Sequence, residues 1–153
     1  MNPAMTSKLV SITPPGAKVD DASATTAAID CRGYDYLRVI VYLGDTDIAM
    51  AALKLQESND NGSSDAYADI TGAVFGTSTG LSGSASTLPS ATGDNAFYVF
   101  IVDLKGRKRY IDLVATGGDG STGAYITALG ELYRGEEQLF TPTGLGASQV
   151  LLV

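Results

Sequence analysis

Residues 34–43 read YDYLRVIVYL, a run dense in Val, Ile, Leu and Tyr whose only charges are Asp35 and Arg38. β-branched and aromatic side chains lose rotamer freedom in a helix and pack well on a pleated surface, so this run is a strand. Successive strand side chains point to opposite faces. The odd positions Leu37, Val39, Val41 and Leu43 therefore line a core. The even positions Tyr36, Arg38, Ile40 and Tyr42 line the other face, where their amphipathic character suits a partner.

The same composition returns at 96–104 (AFYVFIVDL), and further runs of this kind stand at 9–12, 25–29, 67–70, 108–115 and 124–133. Ala, Met and Leu across 47–55 would also suit a helix, but Leu53 and Leu55 alternate with Lys54 and Gln56, which is the half-buried strand pattern. Elsewhere Gly, Pro or β-branched residues interrupt almost every helical spacing. Turn-forming clusters separate the runs: Pro14-Pro15-Gly16, Gly44-Asp45-Thr46-Asp47, residues 58–62, Lys105-Gly106-Arg107 and residues 117–120. Hairpins are expected at 58–62 and at 105–107. About eight or nine short strands without a repeat period predict an all-β fold, a β-sandwich or jelly roll.

At 153 residues the chain is one domain, residues 1–153, long enough to build its own core. Two stretches stand apart. Residues 72–95 are rich in Gly, Ser, Thr and Ala with Asp94 as the sole charge, and predict a long loop anchored by Val74, Phe75, Leu81 and Leu88. Such a loop is either a mobile surface segment or an arm that orders on a partner. Residues 135–153 hold Pro142, Gly144 and Gly146 and finish QVLLV, which predicts a C-terminal arm or a last strand added to the sheet. No apolar run reaches the ~18 residues of a membrane span, and residues 1–8 carry no apolar signal core. A lone Cys31 forms no internal disulfide, so synthesis and maturation in a reducing cytoplasm are expected.

The chain has no histidine. That removes the commonest general base and metal ligand, and every Ser–His or Cys–His pair. One Cys without His cannot supply the usual zinc ligand sets. The carboxylate pairs Asp20/Asp21, Asp45/Asp47 and Glu136/Glu137 sit in polar, turn-like segments and read as solvated charges rather than a glycosidase pair. Asn59, Asp60, Asn61, Ser63, Ser64 and Asp65 form an oxygen-rich loop, but without the spacing or closing Glu of an EF-hand, so a hairpin turn is the better account. Gly117-Gly118-Asp119-Gly120 lacks the Lys-Ser/Thr of a phosphate loop. No enzyme, metal or cofactor is expected. A net charge of −7 disfavours nucleic acid. Against that background Lys105, Arg107, Lys108 and Arg109 concentrate four of the ten cations, either as a solvated tip or as a contact for an acidic neighbour.

Two segments carry a resemblance. Residues 53–72 (LKLQESNDNGSSDAYADITG) resemble the "kLQ-S-D-G-W-D-v" hairpin of small structural proteins of tailed bacteriophages, with Tyr67 at the aromatic position. Residues 104–134 (LKGRKRYIDLVATGGDGSTGAYITALGELYR) are similar to the "RKRYL-L-ATAGDGT-GAYL" stretch of the same kind of virion protein. Together they span about a third of the chain. The resemblance implies a virion component, most like a capsid cement or decoration protein. Such a protein sits on the capsid surface, ties neighbouring major capsid protein subunits together, and often forms dimers or trimers. On this reading the partner contacts are Arg107, Lys108 and Arg109, Phe75 in the long loop, and Leu151, Leu152 and Val153 in the arm. Another virion role (tail, connector or head fibre) stays open, as does a carbohydrate-binding β-sandwich, for which Trp is absent.

Overall fold

A computed structural model describes residues 6–136 and 141–151. The strongest strand of the sequence becomes β3 (Tyr36–Thr46), and its alternation is realised: Leu37, Val39, Val41 and Leu43 are each 0 % exposed. Around it stand β1 (Lys8–Thr13), β2 (Ile29–Asp30), β4 (Ala52–Ser58), β5 (Ala68–Val74), β6 (Ala96–Asp103), β7 (Tyr110–Thr116) and β8 (Ala124–Tyr133). They form two antiparallel four-stranded sheets, ordered β1-β8-β3-β6 and β2-β7-β4-β5. The fold is an all-β sandwich.

The pairing is nested. β4 pairs β5, β3 pairs β6, β2 pairs β7 and β1 pairs β8. This is one long hairpin rolled up so that successive layers fall in alternate sheets, the topology of a jelly roll. The turn at 58–62 is the hairpin its sequence predicts, joining β4 to β5. The turn at 105–107 is not. Arg107 N–H donates to the Leu104 carbonyl at 3.0 Å, but β6 pairs β3 while β7 pairs β4 and β2, so the chain crosses between sheets there. The expected strand at 25–29 shortens to Ile29–Asp30, and the one at 67–70 extends through Gly72 to Val74, so the long loop begins later than its composition indicates.

Between the sheets lies one core, with Ile12, Ile29, Leu53, Leu55, Ile111, Leu113 and Leu132 almost wholly buried beside the β3 residues. Sequence spacing alone places the inward side chains of β4 and β7: Leu53 faces Ala115 and Leu55 faces Leu113 across the ladder. Gly130 sits inward on β8. A Cβ there would lie 3.0 Å from the Ile29 side chain, so a glycine lets the short strand β2 close onto the sheet.

The loop after β5 is internally bonded. The Ser86 hydroxyl donates to the Ser78 carbonyl at 2.6 Å, Gly80 N–H to the Ser84 carbonyl at 2.8 Å, and Met50 N–H to the Pro89 carbonyl at 2.9 Å. Leu88 packs on the core and Pro89 is fully buried, so both tie the loop to the sandwich. Residues 141–151 make turns and no strand; Leu145 accepts a hydrogen bond from Leu9 N–H at 2.9 Å and so lies against β1. The arm expected there docks on the chain's own edge.

Candidate functional site

The two outer faces of the sandwich differ in chemistry. On the β4–β5–β7 side, Lys54 pairs with Asp69 at 2.8 Å, Gln56 donates to the same carboxylate at 2.7 Å, and Asp112 lies opposite Gln56. That face is polar, as an antiparallel sheet facing water usually is.

The outer face of the other sheet is apolar. Register sets Leu129, Ile40 and Val99 in one row across β8, β3 and β6, and Thr127, Tyr42 and Phe97 in the next. Tyr42 and Phe97 stack with ring centroids 4.5 Å apart. Leu9, Ile101 and Tyr125 extend the patch to its margins, and Phe97 and Ile101 are its most exposed members at 67 % and 74 %. Within it stands one ion pair, Arg38 to Glu131 at 2.6 Å, with the Arg38 guanidinium 5.3 Å from the Tyr133 ring centroid. Aromatic and aliphatic residues around a single arginine are the composition of an interface core. Tyr36, Ile40 and Tyr42 are the positions whose alternation points to a partner face. Phe97, Val99, Ile101 and Leu129 escape that first reading. Their signal is present: AFYVFIVDL is apolar at both odd and even positions, and a two-layer sandwich can bury only one of them.

Three of the four cations of the basic cluster form ion pairs within the chain. Arg107 pairs with Glu57 at 3.4 Å, Lys108 with Asp65 at 2.8 Å and Arg109 with Asp30 at 2.6 Å. Arg109, aided by the Arg32 N–H, holds the Asp30 carboxyl below the usual range, and Lys108 does the same for Asp65. Phe75 is half-buried, edge-on to Tyr98 and Phe100 at 5.8 and 5.0 Å, and so anchors the loop to the core. Leu151 is 91 % exposed, while Leu152 and Val153 lie outside the described residues. The structure does not bring these groups together: the cations cap the β6–β7 crossing, Phe75 lies against β6, and the tail runs beside β1 on the opposite edge of that sheet.

In the carboxylate pairs Asp20/Asp21 and Asp45/Asp47, side chains hold loops; Glu137 of the third pair lies outside the described residues. Asp47 accepts N–H bonds from Thr122 at 2.6 Å and Ser121 at 2.5 Å, which hold its carboxyl far below the ordinary value, and Asp20 accepts Gly120 N–H at 3.2 Å. Asp45 pairs with Lys18 at 3.1 Å. At the β4–β5 tip, burial pushes the Asp60 carboxyl up, and the N–H groups of Asp65, Ser64 and Ser63 together with the Ser58 hydroxyl outweigh it and hold it low. The oxygen-rich loop thus closes its own turn. Cys31 is 5 % exposed, and burial, with the nearby Asp30 charge, pushes its thiol up to about 12.

Comparison with family models, with characterised proteins and with solved structures finds no match to this chain.

Proposed function

We propose that this chain is a non-enzymatic virion protein that binds the outer surface of a capsid shell and bridges neighbouring major-capsid subunits, as the cement or decoration proteins of tailed phages do. The observation that carries this reading is the contrast between the two sheet faces. A soluble monomer rarely exposes a contiguous apolar patch of more than a few hundred Å², and a larger one rimmed by polar groups marks a protein-binding site. Here the patch is laid across adjacent strands of one sheet, which suits another protein's surface better than a small ligand. The polar face opposite is left to water. Of the phage-like segments, residues 53–72 build β4 and β5 of the opposite, polar-faced sheet, and residues 104–134 build β7 of that sheet and β8 of the sheet that carries the apolar face. Jelly rolls occur in viral capsid and in lectin domains alike, so fold alone does not choose between them.

Co-sedimentation with undecorated capsids tests the reading. Ile40→Asp combined with Leu129→Asp places two charges mid-face and abolishes decoration, whereas Gln56→Ala on the opposite face leaves it intact. A folded double variant that decorates shells as fully as the parent chain would sink the proposal.

A further inference from the structure

Three of the four sheet edges are blunted and one is not. β1 carries a bulge between Ser11 and Thr13 and is overlaid by Leu145. β2 is two residues long. β5 shifts register against β4 between Lys54 and Gln56, with Asp69 engaged by both of those side chains. β6 is different. It runs eight residues in unbroken register with β3, from Leu43 opposite Ala96 to Tyr36 opposite Asp103. Among the described residues it pairs with nothing else, and it contains no Pro, Gly or Lys. An open groove of about 370 Å³ runs along it, with Val99 and Ile101 on one side and Gly72, Phe75 and Leu81 on the other. Folded proteins do not leave such an edge free; they pair or cover it.

We infer that β6 pairs antiparallel with β6 of a second copy across a two-fold axis at Val99, joining the two four-stranded sheets into one of eight strands. The residues select this partner and this register. An axis at Val99 sets Phe97 opposite Ile101 of the second copy, twice, and these are the most exposed apolar side chains of the face at 67 % and 74 %. Val99 meets its own counterpart. The only charge of the strand, Asp103, falls opposite the Asn95 position. The two Asp103 carboxylates then stand about 26 Å apart, at eight residues of ~3.3 Å each. Moving the axis to Phe100 would press Asp103 against Phe97, desolvating a carboxylate without a partner. The isologous pairing needs no second sequence, and it makes the apolar faces of two copies continuous.

The inference is independent of shell binding and is tested without a capsid. Light scattering of the purified chain should give a dimer. Val99→Lys sets like charges opposite each other and should weaken it by at least about tenfold, and mixing Val99→Lys with Val99→Glu should restore it. Circular dichroism verifies that each variant is folded. Amide exchange separates strand pairing from stacking of the apolar faces: alternate N–H groups of β6 should gain protection as concentration rises. A chain that stays monomeric at high micromolar concentration would overturn the inference, as would a dimer whose β6 amides exchange as fast as in dilute solution. Should the substitutions disrupt folding, the amide-exchange result on the unmodified chain decides alone.

Discussion

The rings of Tyr42 and Phe97 lie stacked on the solvent side of the sheet, centroids 4.5 Å and planes 24° apart. Two aromatic side chains from adjacent strands pack against each other on an exposed face, Tyr42 at 41 % and Phe97 at 67 % exposure. Their contact contributes to the sheet as a cross-strand pair, on the order of 0.5–1 kcal/mol, yet much of their surface stays available.

Stability and binding should therefore separate between the two sides of this sheet. Leu55→Ala, inside the core and 0 % exposed, is expected to cost about 2–5 kcal/mol in denaturant unfolding. Phe97→Ala should cost about 1 kcal/mol or less while strongly reducing association with its partner. Comparable unfolding midpoints for the two variants would contradict this division.

Acid should loosen the turn that Asp47 holds. Its carboxyl is held far below the ordinary value by the N–H groups of Thr122 and Ser121. A depressed folded-state value means the stabilisation is fully present above the unfolded value of about 3.9 and is lost as pH falls below it. Asp30, Asp60, Asp65 and Asp69 are shifted in the same direction and add to the same acid limb. Melting temperature should fall steeply below about pH 4, and Asp47→Asn should melt lower at neutral pH with a shallower acid limb. An acid limb of unchanged steepness in that variant would remove Asp47 from the account.

Cys31 should resist thiol reagents in the native chain. Burial pushes its thiol up to about 12, and the thiolate is the reactive form. Labelling with an aromatic disulfide at pH 8 is expected to be slow in buffer and rapid in denaturant. Fast labelling of folded protein would show that the β2 end of the sandwich opens readily.

The alternation of residues 34–43 is legible because both outcomes of a two-period pattern were written in different residue types: Leu and Val inward, Tyr and Arg outward. The crossing at 105–107 was illegible for a physical reason. A Gly-containing turn specifies that the chain reverses, not which sheet receives the next strand. That choice is made by β3 and β4, more than forty residues upstream, which leave β6 and β7 different places to pair. The ion pairs of the basic cluster are not legible for the same reason, since the counter-charges Asp30, Glu57 and Asp65 are remote in the chain and adjacent only in space. The internal order of the loop predicted over residues 72–95 is not legible because it comes from serine hydroxyls and backbone groups rather than from apolar periodicity.

The nesting of the strands also sets an order in time. β4 and β5 are joined by the nine residues 59–67 and can close as soon as both exist, whereas each outer layer must bridge a longer stretch of chain before its contacts form. β1 leaves the ribosome before any other described strand of the sandwich, yet among the described strands it pairs only with β8, the last of them to emerge. Until β8 is made Ile12 therefore waits without a sheet to join, and the burial of this early side chain depends on a strand made more than a hundred residues later.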